Sequence, residues 1–313
     1  MTGGSRLHFA DRLAALVEER RSRVVLGLDP DPGRLWPEAV ERLGAQRDAS
    51  GAASPALARI HAADAVTEHC RAAIVAAGPA CVAVKLQLAC FERLGAPGWE
   101  ALERVVAIGR DHGLLVLADG KRGDVPVTAR AYAQALVGET ASPFGRVPGL
   151  EADAFTANPL LGRDALEPLV EGAAAAGAGC FVLVRTSNPG AAELQDAGTP
   201  PLHERLAALA DELGAGLTGD CGLSCVGAVT GATRPEHLGR LRELMPRAIF
   251  LLPGVGAQGG RVEDLGPAFG PHPAAGLVTA SRSIVDAHAQ RGGDPAEAAA
   301  AAAEDLRASA WNL

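Results

Sequence analysis

Lysine is almost missing from this chain. Only two of its 29 basic side chains are lysines, Lys85 and Lys121, and arginine supplies the rest. Aromatic residues make up 4% of the 313 residues, so a core must be built from Ala, Val, Leu and Ile. No apolar run is long enough to cross a bilayer, and Met1-Thr-Gly-Gly-Ser has neither the basic nor the apolar part of a secretory leader. The six cysteines follow neither a disulfide-framework spacing nor a paired zinc-ligand spacing. The closest pair, Cys221 and Cys225, reads as two small buried residues. A reducing cytoplasm is therefore the expected setting. Net positive charge is lacking too: a formal charge of −8 argues against nucleic acid or an anionic membrane surface as a partner. An anionic ligand would need local positive groups to hold it.

With 48% hydrophobic residues, a large core can be buried. Eight short, β-rich apolar runs recur: Val24–Asp29, Cys81–Lys85, Leu114–Gly120, Ala152–Thr156, Cys180–Thr186, Val226–Thr230, Ala248–Pro253 and Gly276–Ser281. Helical spacing of apolar residues fills the segments between them, including Trp99–His112, Val125–Val137, Asp164–Ala176, Pro201–Leu213 and Pro235–Met245. Eight strand–helix alternations predict a closed (β/α)₈ TIM barrel of the α/β class, a single domain over residues 1–313. A helix over residues 7–21 is expected to precede it, and a long helical insertion, with its second helix near Ala56–Ala77, to follow the first strand. Asp294 as N-cap, Pro295 at the first helical position and Glu297 at the third predict a C-terminal helix. Gly138–Leu150, rich in Gly and Pro, reads as an irregular loop. Gly27-Leu-Asp29-Pro-Asp-Pro does not fit the dinucleotide-binding glycine fingerprint.

Reactive groups of such barrels sit where strands end, and the polar residues here fall on that rim. Asp29, Lys85, Asp119, Lys121, Ser187, Ser281 and Arg282 all lie at or just beyond run ends. A Lys ammonium is compact and its pKa shifts readily, whereas Arg cannot lose its proton, so lysines kept among carboxylates suggest proton transfer. In Asp119-Gly-Lys121-Arg-Gly-Asp124, period-two alternation sends Asp119 and Lys121 to the same side. Asp124 falls at the start of the next helix, where it could cap, and Thr128 lies one turn further on. Pro253-Gly-Val-Gly-Ala-Gln258-Gly259-Gly260 and Thr279-Ala-Ser281-Arg282 follow the seventh and eighth runs, the places where barrels commonly hold phosphate.

These elements, with the Thr186-Ser-Asn-Pro-Gly190 turn and Val229-Thr-Gly-Ala-Thr-Arg-Pro-Glu236, closely resemble orotidine 5′-phosphate decarboxylase, in the longer bacterial branch of that family. The resemblance implies decarboxylation of orotidine 5′-phosphate to UMP, the last step of de novo pyrimidine synthesis. It assigns Lys121 as proton donor to C6, Asp119 as the carboxylate beside the leaving group, and Lys85 and Asp29 as ribose partners. Ser187 is assigned to the pyrimidine, Gln258 to base and phosphate, and Gly259, Ser281 and Arg282 to the phosphate. Asp124 and Thr128 are implied to reach into a partner's site in an obligate homodimer. No cofactor or metal is implied. Many relatives carry Gly where this chain has Ser281, a small residue that still permits backbone contact. Two alternatives stay open: a magnesium-dependent sugar-phosphate decarboxylase or epimerase of the same barrel superfamily, and a non-catalytic nucleotide-binding barrel. The first places an acidic metal ligand near the end of the second strand, where this chain has Lys85.

Overall fold

The structure is a computed structural model that describes residues 7–44, 54–256 and 258–313. Its ten strands are β1 (Val24–Leu28), β2 (Ala83–Gln87), β3 (Leu115–Arg122), β4 (Glu139–Ser142), β5 (Gly145–Pro148), β6 (Ala154–Ala157), β7 (Gly179–Arg185), β8 (Val226–Thr230), β9 (Phe250–Pro253) and β10 (Gly276–Ala280). All but β4 and β5 form a closed parallel barrel in the order β1-β10-β9-β8-β7-β6-β3-β2. Strands buried on both faces must be apolar throughout, and β1, β8 and β10 are buried at every position. The eight apolar runs of the sequence are these eight strands.

The α-helices are α1 (Phe9–Arg20), α2 (Pro37–Gly44), α3 (Pro55–Ala77), α4 (Leu88–Glu92), α5 (Ala96–Asp111), α6 (Pro126–Leu136), α7 (Arg163–Ala175), α8 (Ala191–Gln195), α9 (Leu202–Gly214), α10 (Leu238–Leu244), α11 (Arg282–Val285), α12 (His288–Arg291) and α13 (Pro295–Trp311). Helices α2 and α3 make up the predicted insertion after β1. Helix α13 starts as expected, with Asp294 accepting from Glu297 N at 2.9 Å. Helix α1 packs against the barrel: Phe9 meets Phe181 edge-on at 5.9 Å, and Arg12 pairs with the buried Asp153. Gly179 permits that approach, since a Cβ there would lie 2.6 Å from the Phe9 ring.

One expectation fails. The Gly138–Leu150 segment is not irregular but contains an antiparallel hairpin, β4 paired with β5 from Glu139↔Pro148 to Ser142↔Gly145. Ser142 Oγ donates to Gly145 O at 2.7 Å, and Gly145 takes φ +112 to make the turn. Every hairpin residue except Ser142 is exposed, so no apolar alternation betrays it.

Candidate active site at the carboxyl end of the barrel

Register determines which strand-end side chains meet. Gly27 on β1 pairs with Lys85 on β2, and Gln87 pairs with Asp119 on β3. Lys85 Nζ therefore reaches Asp119 Oδ2 at 2.7 Å and Asp29 Oδ1 at 3.7 Å. The other carboxylate oxygen, Asp119 Oδ1, accepts from Lys121 Nζ at 2.7 Å and from Thr156 Oγ1 at 2.9 Å. Asp119 is 5% exposed and Lys85 6%, so this is a buried charge cluster. Burial alone would raise the Asp119 carboxyl, but the two ammoniums and their hydrogen bonds hold it well below the usual carboxylate range. Burial likewise opposes the charge on Lys85, and Asp119 and Asp29 outweigh it, keeping that ammonium charged.

Lys121 does not reach its place by simple alternation along a regular strand. The β3–β6 register shifts between Ala118 and Arg122, and Lys121 takes φ +48, a left-handed conformation unusual for a side chain with a Cβ. Such a residue costs about 1 kcal/mol or more and persists only where its surroundings hold it. Here Thr156 Oγ1 accepts from Lys121 N at 2.9 Å while donating to Asp119. One threonine thus holds both the Lys121 backbone and the Asp119 carboxylate. The Lys121 side chain is 43% exposed and lines the cavity.

A cavity of about 510 Å³ covers this cluster. Its far wall comes from the loops after β7, β9 and β10, where Ser187 Oγ donates to Gln258 Oε1 at 2.8 Å across the opening. Gly254 and Gly256 in the β9 loop take φ +102 and +74, conformations that turn the backbone toward the cavity at little cost. Arg282 begins α11 at the rim, beside Ser281. Gly27 makes room for Ser281, since a Cβ on Gly27 would lie 2.0 Å from the serine Oγ. A groove of about 560 Å³ between α6, α7 and the hairpin is slightly larger, yet all its charged residues are exposed. The charge cluster, not the volume, marks the mouth cavity as the site.

Of the residues singled out from sequence, Asp29, Lys85, Asp119, Lys121, Ser187, Gln258, Ser281 and Arg282 line this one cavity. Asp124, Thr128 and Gly259 do not line it within the chain. Asp124 sits one residue before the N-cap of α6, so the expected capping bond is not formed; its carboxylate accepts from Val125 N at 2.7 Å instead. Three polar lining residues escaped the sequence reading: Gln87, Thr156 and Gln195. Gln87 follows Lys85 by two on the same strand, and Thr156 ends its apolar run, so both left a signal. Gln195 left none. Among the described residues, no group of three or more His, Cys, Asp or Glu is arranged to hold a metal ion.

Residues 22–302 match the model of the orotidine 5′-phosphate decarboxylase / HUMPS family. The orotidine 5′-phosphate decarboxylase of Deinococcus radiodurans is 40% identical over 299 residues, 95% of this chain and 96% of the relative. That of Haloarcula marismortui is 42% identical over 285 residues, covering 89% of this chain and 87% of the relative. The structure of Leishmania donovani OMP decarboxylase superposes with a TM-score of 0.67 at 30% identity, covering 97% of this chain and 99% of that one.

Proposed function

The chain belongs to the orotidine 5′-phosphate decarboxylase / HUMPS family, and we propose that it decarboxylates orotidine 5′-phosphate to UMP and CO₂ in pyrimidine biosynthesis. The observation that carries this reading is the Lys85–Asp119–Lys121 cluster, in which the buried Asp119 carboxylate lies 2.7 Å from both the buried Lys85 and the cavity-facing Lys121 ammonium. In the reaction, the bond from C6 to the carboxylate breaks, its electron pair stays on C6, and CO₂ leaves. Lys121 gives a proton to C6 and is reprotonated from solvent. Asp119, held ionised, faces the substrate carboxylate and keeps Lys121 charged. Such an electrostatic arrangement is set before the substrate arrives and needs no reorganisation at the moment of reaction.

Lys85 and Asp29 hold the ribose, Ser187 the pyrimidine, and Gln258 spans base and phosphate. Arg282, Ser281 and Gly259 hold the phosphate, and that remote binding energy helps to drive the arrangement at C6. On this reading residues 1–313 form one barrel domain and the enzyme is cytoplasmic.

The active unit is a homodimer in which Asp124 and Thr128 enter the partner's site. Support comes from the surface around Asp124. Val125 (53% exposed) and Val127 (84%) stand at the start of α6, and Leu160 (74%) and Leu161 (47%) on the loop after β6. Asn158 N donates to Arg122 O at 2.8 Å, which ties the segment after β6 to the end of β3, just before α6. Bare aliphatic side chains next to Asp124 and on the adjoining segment are what a second copy would cover.

The test is the fall in absorbance as orotidine 5′-phosphate becomes UMP, with purified protein and EDTA present. Turnover is expected to survive the chelator. Loss of turnover on chelation would favour the metal-dependent relatives, and UMP binding without turnover a silent barrel.

A further inference from the structure

The stretch from Thr186 to Gln195 forms one wall of the cavity and joins β7 to the short helix α8. Its turn, Thr186-Ser-Asn-Pro-Gly190, carries the two side chains that face the opening, Ser187 and Asn188. A Pro- and Gly-containing turn at a cavity rim has no sheet partners of its own, so something must hold it. Three polar backbone atoms at its start are held by side chains. Thr186 N donates to Gln195 Oε1 at 2.8 Å, Arg185 Nη1 donates to Thr186 O at 2.6 Å, and Thr233 Oγ1 donates to Ser187 O at 3.1 Å. Gln195 then adds a second bond, Nε2 to Thr186 Oγ1 at 3.1 Å, and that hydroxyl donates to Asn188 Oδ1 at 2.7 Å. One amide therefore grips the turn by backbone and side chain and sets the orientation of Asn188.

The grip is anchored from below. Asp196, next to Gln195, takes a bidentate ion pair from the buried Arg185, at 2.7 and 3.0 Å. His203 Nδ1 lies 2.8 Å from Gln195 O, which fixes the peptide itself. The far side of the turn is tied to the opposite loop through Ser187 and Gln258.

We infer that Gln195 is a positioning residue of the nucleotide site, a clamp that holds the Thr186–Gly190 turn so that Ser187 and Asn188 meet the base. The inference rests on the substrate reading above and adds a residue that the site motifs do not contain. The clamp acts on base recognition and leaves the ribose and phosphate contacts of Asp29, Lys85 and Arg282 alone, because these residues sit on other elements.

Two variants test it: Gln195→Met, which keeps the length and loses both amide bonds, and Gln195→Glu, which keeps the acceptor for Thr186 N. Affinity for UMP and for ribose 5-phosphate, which lacks the base, is measured beside amide exchange at Thr186 in the unliganded protein. One lost acceptor for a backbone N–H corresponds to about a tenfold effect. Gln195→Met is expected to bind UMP about tenfold more weakly, to raise KM more than it lowers kcat, and to exchange the Thr186 amide faster. Ribose 5-phosphate should bind it as well as it binds the parent, and Gln195→Glu should recover much of the UMP affinity. Unchanged UMP affinity in Gln195→Met, or an equal loss for both ligands, would overturn the inference. A parent protein that bound no UMP would sink the substrate reading instead, and the Thr186 exchange rates would still decide whether the clamp exists.

Discussion

Replacing Asp119 by Asn removes the charge that two ammoniums share while preserving shape. The loss falls mainly on Lys85, whose side chain is 7% exposed, and less on Lys121, which is 43% exposed. At 2.7 Å, an effective dielectric near 20 gives a gross attraction of about 6 kcal/mol, much of it offset by desolvation. Removing one partner of a buried pair typically costs about 3–5 kcal/mol, because the other charge is left uncompensated. Asp29, at 3.7 Å and 41% exposed, still offers Lys85 partial relief, so about 3 kcal/mol is expected. Urea unfolding at pH 7 should show that loss, and the melting temperature should fall by roughly 5 °C. Removing the orphaned ammonium as well, in Asp119→Asn/Lys85→Met, should restore most of it.

The effect also has a pH signature. The Asp119 carboxyl is depressed in the folded state, so its contribution is complete above about pH 4 and fades as pH falls through its folded pKa. Lys85 is raised, so its contribution is present below about pH 10.5 and fades as pH rises through its folded value. The gap between parent and Asp119→Asn should therefore be widest between those limits. Equal stability of the two proteins at neutral pH, or a double variant weaker than the single one, would refute the charge-cluster argument.

Lys121→Ala should leave a folded protein with kcat lower by at least about 10³, since general acid catalysis alone contributes up to about 10⁴; single-turnover kinetics and circular dichroism decide it. Near-normal turnover would exclude Lys121 as the proton donor. Val127→Asp should drive the protein to monomers in sedimentation velocity and lower activity together with assembly, because it puts a charge among the aliphatic residues around Asp124. His69 Nδ1 accepts from Trp36 N at 3.1 Å, and burial first of all lowers its pKa to about 4. A depressed imidazole favours folding fully only above its unfolded pKa, about 6.5, and that contribution is lost as pH falls toward 4. The parent should lose up to about 3 kcal/mol across that window, and His69→Gln should show a flatter unfolding profile.

The eight apolar runs were enough to predict the barrel, because a strand buried on both faces has to be apolar along its whole length. The cap of α13 was legible for a similar reason: Asp294, Pro295 and Glu297 act on their own neighbours. Charged residues ending apolar runs also marked Asp29, Lys85, Asp119 and Lys121 as rim groups. The hairpin within Gly138–Leu150 was not legible, since strands exposed on both faces carry no burial pattern. Nor was the left-handed backbone at Lys121, which a register shift against β6 and the Thr156 hydroxyl hold in place. Gln195 meets Thr186 through the path of α8, a contact that no spacing rule anticipates. Local patterning records whether a residue is buried and in which element, and the sequence alone determined that much. Which groups share a hydrogen bond depends on strand register and barrel closure, which bring together residues far apart in the chain, and only the tertiary structure decided it.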